Sequence, residues 1–221
     1  MDYPSHEVYA TLYARYLNPE RTQQLLALAG DLRGKSALDL CGGGGRLAQL
    51  AAKAGARVTL VDESAAMAAG GATAGLTVLL RPVEHAFLTV QPADIVFCQQ
   101  AVNYWLTEGT AWDLAGVVKP GGLFIFNTFN ARPSTIPRTK DYVLGGRHYV
   151  EISQLVEGAG EDMVEHVQVC EGLCPHVTRF PWISPDQFQR WLRPWFDCEE
   201  QVDGATSVWR CVRRATDEAQ A

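Results

Sequence analysis

The chain contains no apolar run approaching the roughly 20 residues that a membrane-spanning helix requires. Its first residues, Met1-Asp2-Tyr3-Pro4-Ser5-His6, lack the basic and apolar regions of a signal peptide. There is no CxxC pair among the six cysteines, of which Cys170 and Cys174 are the closest, and no histidine stands at ligand spacing between two such pairs. A metal site is therefore not expected. Most of the cysteines lie in apolar, strand-like segments, which reads as buried reduced thiols and a cytoplasmic protein. Positive charge is also scarce, with 19 Lys and Arg against 25 Asp and Glu and a net charge of −6. Phosphate backbones select basic faces, so no nucleic-acid partner is expected. Repeats and low-complexity segments are missing too. What remains is 221 residues with 47% apolar content, enough for one sizeable domain with an insertion.

The informative stretch runs from Ser36 to Asp62. Ser36-Ala37-Leu38-Asp39-Leu40 is a short apolar run, as expected of a buried strand, and Cys41-Gly42-Gly43-Gly44-Gly45 follows it. Leu47, Leu50, Ala51 and Ala54 then recur at helical spacing, with Gly55 placed to end the helix. Val58, Leu60 and Val61 form a second strand that closes on Asp62. This is one right-handed βαβ unit with a glycine loop at the helix start. Such a loop brings a ligand against bare backbone, and an acid ending the second strand can accept both hydroxyls of a ribose. An adenosine-type cofactor follows. Asp39 bears on which one, because a carboxylate this close to the loop works against a pyrophosphate and favours an ammonium or sulfonium. Gly43-x-Gly45-x-x-Ala48 also meets a loose dinucleotide fingerprint, so an NAD(P)-binding oxidoreductase is the alternative.

Leu38-Asp39-Leu40-Cys41-Gly42-Gly43-Gly44-Gly45 resembles motif I of the class I S-adenosylmethionine-dependent methyltransferases. Val61-Asp62-Glu63-Ser64-Ala65-Ala66-Met67 resembles the segment after it, and Lys119-Pro120-Gly121-Gly122-Leu123-Phe124-Ile125-Phe126 the turn and fifth strand of the same fold. The resemblance implies S-adenosylmethionine as cofactor, S-adenosylhomocysteine as product, and Asp39, Cys41, Gly42, Gly43, Gly45, Asp62, Glu63 and Met67 around it. Two positions depart from the family. Cys41 stands where glycine is usual. Pro82, in Leu80-Arg81-Pro82-Val83-Glu84, stands where many relatives carry an acid for the adenine amino group, which leaves Val83 and Glu84 or a backbone carbonyl for that edge. Nucleic-acid amino-methyltransferases carry an Asn/Asp-Pro-Pro-aromatic motif after the fourth strand, where this chain reads Cys98-Gln99-Gln100-Ala101-Val102-Asn103-Tyr104. A small-molecule acceptor is favoured.

Asn18-Pro19 signals a helix with Leu25, Leu26, Leu28 and Leu32 on its buried face. Before it, Tyr9, Tyr13 and Tyr16 resemble the N-terminal lid of small-molecule N-methyltransferases such as those acting on amino sugars, and Tyr13 best matches the tyrosine that closes over the sulfonium. Gln99 and Gln100 end the fourth strand, where open α/β sheets bind ligands, and so join the cofactor set. Asn103, Tyr104 and Trp105, with Asn127 and Phe129 at the end of the fifth strand, are the expected substrate walls. Beyond them His148, Val150, Ile152 and Val156 alternate onto one face of an extended segment, and Ser184-Pro185-Asp186 caps a last helix.

The expected architecture is α/β: a doubly wound Rossmann-like sheet with an antiparallel β insertion after the fifth strand. Residues 1–129 form the cofactor core with its helical lid, 130–182 the insertion, and 183–221 the completion of the sheet and a polar tail. In related enzymes such an insertion covers the substrate or mediates a homodimer. The expected activity is methyl transfer to nitrogen, oxygen or carbon of a small molecule. A fold relative that keeps the cofactor without transferring from it is a further alternative. If a base is used, the candidates are His148 and His176, with Tyr13 beside the sulfonium.

Overall fold

The computed structural model describes residues 19–144, 146–157, 162–172 and 175–215. Tyr9, Tyr13, Tyr16, the Asn18 cap and Cys174 lie outside the described residues. The central sheet has seven strands in the order β10-β11-β5-β4-β1-β2-β3. Strands β1 (Ser36–Leu40), β2 (Arg57–Asp62), β3 (Thr77–Leu80), β4 (Ala93–Gln99) and β5 (Val118–Phe129) run parallel, while β10 (Phe196–Asp203) and β11 (Thr206–Arg213) form an antiparallel hairpin against β5. The strand order reverses between β1 and β4, and crevices at the carboxyl ends of such sheets are where ligands bind.

Parallel strands covered on both faces need continuous apolar sequence, and Ile95, Val96, Phe97 and Cys98 of β4 are all fully buried. Phe126 of β5 stacks on Trp209 of β11 at 5.7 Å, joining the hairpin to the core. Helix α1 (Pro19–Ala29) buries Thr22, Leu25 and Ala29 at helical spacing, with Leu32 beyond it; Leu26 and Leu28 are only half-buried flanks of that stripe. Helix α2 (Arg46–Lys53) buries Leu47, Ala48 and Ala51, so the inward stripe includes Ala48 rather than Leu50 or Ala54. Gly55, at φ 98°, follows its C-cap as expected. Ser184 caps the helix Pro185–Leu192 by accepting from the Gln187 amide.

Cys198 and Cys211 are direct partners in the β10–β11 register, 4.0 Å apart at Cα, and form a disulfide. The reading of reduced thiols is corrected for these two; Cys41, Cys98 and Cys170 are free.

The insertion is a four-stranded antiparallel sheet in the order β6-β7-β8-β9, made of β6 (Arg138–Leu144), β7 (Arg147–Val156), β8 (Met163–Cys170) and β9 (His176–Pro181). The face expected to be buried on β7 is the wrong one. Tyr149, Glu151 and Leu155 are buried, while His148 is exposed and Val150 and Ile152 are half-buried. The period of two was right and its phase was inverted.

Candidate active site

Sequence places Asp39 near the end of β1, beneath the glycine loop. It is 1% exposed, and its Oδ2 accepts the Ala48 amide at 3.1 Å from the first turn of α2. Its Oδ1 has no hydrogen-bond partner among the described residues. Burial raises its pKa to about 7, the Ala48 bond opposes that, and the charge of Asp62 adds to it. A Cβ on Gly42 would lie 2.8 Å from this carboxyl, so only glycine lets the loop pass over it. Cys41 occupies the left-handed region at φ 53°, which explains why glycine would be at ease there.

Asp62 ends β2 and ties the loop from the other side. Its Oδ2 accepts the Gly43 amide and its Oδ1 the Ser64 amide, both at 2.9 Å. A carboxylate has about four lone-pair sites, so two remain for a ligand. Burial raises the Asp62 pKa against those two bonds.

A cavity of about 500 Å³ opens above these groups at the carboxyl edge of the sheet. One half is walled by Cys41, Gly43, Asp62, Glu63, Met67 and Val83; Pro82 and Glu84 also line it. Gln99, Gln100, Asn103, Tyr104, Trp105, Asn127 and Phe129 line the remainder of the core side. Gln100 sits in the left-handed region at φ 61°, its amide donating to Asn127 Oδ1 at 3.1 Å. The two non-glycine residues with positive φ among those described, Cys41 and Gln100, are thus both on this wall. Asp39, Gly42 and Gly45 are not. They support the loop from below, Gly45 packing over Leu60 and Gly71.

The far wall comes from the insertion. Asn103 accepts from the Thr128 hydroxyl at 2.7 Å and donates to the Pro181 carbonyl at 3.4 Å, joining β5 to the end of β9. Tyr104 packs on Phe180 at 5.0 Å. Trp105 is largely core, 4% exposed between Phe87 and Phe124, and reaches the cavity only at an edge. His166, Gln168, Thr178 and Arg179 also line the wall, none of them foreseen. His176 lines it too, with Nε2 2.8 Å from the Thr178 hydroxyl. His148 does not: it pairs with Asp141 on the exposed face of the β6–β7 hairpin, so its candidacy as the base is corrected. The signal that could have found His166 and Gln168 was the strand period counted from Val164.

The loop fits a cofactor with cationic and ribose parts. An orphaned buried carboxyl oxygen lies under it, a second acid with free lone pairs stands beside it, and the loop is bare backbone. The layout resembles that of the class I S-adenosylmethionine-dependent methyltransferases. Residues 38–126 match the methyltransferase domain family, and the chain carries such a domain. It is 35% identical over 127 residues to a ubiquinone biosynthesis O-methyltransferase of Bordetella avium (strain 197N), spanning 54% of this chain and 53% of that protein. A protein of the same description from Vibrio vulnificus (strain YJ016) is 35% identical over 122 residues, covering 52% of each. The chain thus spans about half the length of these relatives. Among solved structures, DesVI of Streptomyces venezuelae superposes with TM-score 0.75 at 13% identity, over 96% of this chain and 100% of that one. CalS10, an amino pentose methyltransferase from Micromonospora echinaspora, superposes with TM-score 0.70 at 16% identity, over 96% and 99%. At these identities the structures speak for the fold alone.

Proposed function

We propose that the chain transfers a methyl group from S-adenosylmethionine to a small-molecule acceptor. The observation that carries this is one continuous cavity with the loop and Asp62 at one end and the insertion wall at the other. Asp62 would hold the ribose hydroxyls, the loop amides the amino-acid end with the Asp39 charge acting from beneath the loop, and Val83 and Glu84 the adenine edge. When bound, S-adenosylmethionine supplies an electrophilic methyl on a sulfonium. The chain aligns the acceptor and excludes water, and such alignment supplies much of the acceleration in an in-line displacement. His176, whose pKa is lowered by burial, lines the insertion wall beside the Thr178 hydroxyl and is the group proposed to take a proton that the acceptor releases. His166 is pushed down to about 4, chiefly by burial, and is too weak a base for that work. Tyr13 retains its proposed place over the sulfonium, outside the described residues.

Division at 129 and 182, acceptor binding by 130–182 and a homodimer through that insertion as its other use belong to the same proposal. So does a cytoplasmic location, argued from the free thiols Cys41, Cys98 and Cys170 and opposed by the Cys198–Cys211 disulfide. Among the described residues no helix is long and apolar enough to cross a membrane. The oxidoreductase alternative has no support in a chain whose domain match and relatives are methyltransferases. Calorimetric titration with S-adenosylhomocysteine tests the reading. Asp62→Ala is expected to weaken binding by about 2 kcal/mol, because two hydroxyls lose a charged acceptor. Equal affinity in the variant and the parent protein, or binding of NAD in preference, would overturn it.

A further inference from the structure

Strands β4 and β5 end side by side in a strained contact. Gln100 follows β4 in the left-handed region at φ 61°, a conformation that crowds any side chain other than hydrogen. Such strain persists only where the surroundings hold it, and it gathers at ligand sites. Here it sets an aim. The Gln100 amide is brought onto Asn127 Oδ1 at 3.1 Å. A main-chain N–H can only donate, so this bond settles which end of the Asn127 amide is oxygen and which is nitrogen. Oδ1 is committed to Gln100, and the two donors of Nδ2 form the other end.

Nδ2 makes no hydrogen bond among the described residues, and it is not among the unpartnered polar atoms that the fold seals from solvent. Gln99, directly opposite in the β4–β5 register, turns its own Oε1 to the Thr22 hydroxyl. Asn127 is 2% exposed and lines the cavity, so the little surface it keeps opens there. The order of the sheet places this donor. The glycine loop leaves β1 and Asp62 ends β2, which puts the cofactor half over β2, β1 and β4. The next strand out is β5, and the insertion follows it. Asn127 therefore stands between the two halves of the cavity, where a substrate must lie to meet the methyl. Its neighbour Thr128, bonded to Asn103 and through it to the Pro181 carbonyl, braces this end of β5 against β9.

We infer that Asn127 is a specificity-determining residue, its Nδ2 donating to an oxygen of the substrate while the Gln100 amide holds the side chain in aim. The substrate class is a molecule with a hydroxyl, ether or carbonyl oxygen beside the atom that is methylated. A molecule that offers only N–H at that point sets donor against donor, and a site built to hydrogen-bond a substrate rejects the analogue that cannot complete the bond.

This inference rests on the methyltransferase reading, and its test separates the two. The full chain is isotope-labelled and saturated with S-adenosylhomocysteine, and the Asn127 side-chain amide signals, assigned through Cβ, are followed by NMR. The titrants are two uncharged rings of equal size: cyclopentanone, which can only accept a hydrogen bond, and pyrrole, whose N–H can only donate one. Cyclopentanone is expected to bind and to move the Asn127 signals, and pyrrole to bind more weakly by about tenfold and leave them in place. Asn127→Asp keeps an oxygen for the Gln100 amide and replaces the donor with a second acceptor. It is expected to reverse the preference toward pyrrole, which a packing role alone would not do. The parent chain decides the matter even where that variant fails to fold. Asn127 signals that stay in place with cyclopentanone, equal affinity for the two rings, preference for pyrrole, or binding of neither overturns the inference. Failure of S-adenosylhomocysteine itself to bind the parent chain would instead overturn the methyltransferase reading.

Discussion

Asp39 is a buried carboxyl with one oxygen satisfied and one not, and its titration couples stability to ligand. It titrates near 3.8 when unfolded and about 7 when folded. Between those values the folded chain holds a proton that the unfolded chain has released. Stability therefore falls as pH rises through that window, and the penalty is complete above about pH 7. Asp39→Asn, which never charges, is expected to melt above the parent protein at pH 8 in thermal scans and to converge with it near pH 4. A variant that melts lower at pH 8 would show that the carboxylate has a stabilising partner. The same charge makes a second measurement possible. Affinity for S-adenosylmethionine should rise with pH up to about 7 in the parent protein, as the carboxylate forms, and stay flat in Asp39→Asn.

Among the elements, the amino ends of β1, β4 and β5 are clamped by one acid opposite the cavity. Asp94 Oδ2 accepts the Ser36 amide at 2.7 Å and its hydroxyl at 2.6 Å, and Oδ1 accepts Lys119 Nζ at 2.8 Å. Lys119 first, then Ser36, hold the Asp94 carboxyl well below the usual carboxylate range. A depressed pKa contributes stability that is present above the unfolded value of 3.8 and is lost as pH falls below it. Asp94→Ala should cost about 2 kcal/mol at pH 7 by urea midpoint, a figure kept modest because the pair is partly exposed. The cost should shrink progressively below pH 3.8; a constant cost would mean that the charge is not what holds the strands.

Element by element, legibility followed chemistry. Ser36–Asp62 could be read because glycine, an apolar strand and a helical stripe each leave an unambiguous mark. The insertion could be read as antiparallel strands, but not for which face turned inward. On β7 the apolar residues Val150 and Ile152 point away from the site, and Glu151 points toward it. Hydrophobic alternation assumes that the buried face is the oily one, and a strand that walls a polar cavity breaks that assumption. Gln168, a lone amide in a mixed strand, is marked only by its period from Val164. His176 was reachable by elimination among five histidines; its companion His166 was passed over because it lies in a mixed, half-exposed strand.

For the molecule as a whole, the two sheets are unequally held. The core sheet rests on two large buried clusters, with Phe97, Phe124, Phe126, Leu40 and Leu60 fully inside. In the insertion, Leu155, Val164 and Phe180 form a small cluster, with Tyr104 and Trp182 packed against it. Tyr149 and Cys170 are buried on the same strands, and at about 1.5–3 kcal/mol for each buried side chain these few residues cannot offset the ordering of four strands. The polar rows that serve the cavity are what this sheet gives up in oil. Backbone amides of β7 and β8 are therefore expected to exchange with deuterium much faster than those of β1 and β4, through openings that leave the core folded. Uniform protection across both sheets would show a single cooperative unit. If the difference is found, one wall of the cavity breathes on a rigid frame, and the range of guests it admits is set by that motion as well as by its resting outline.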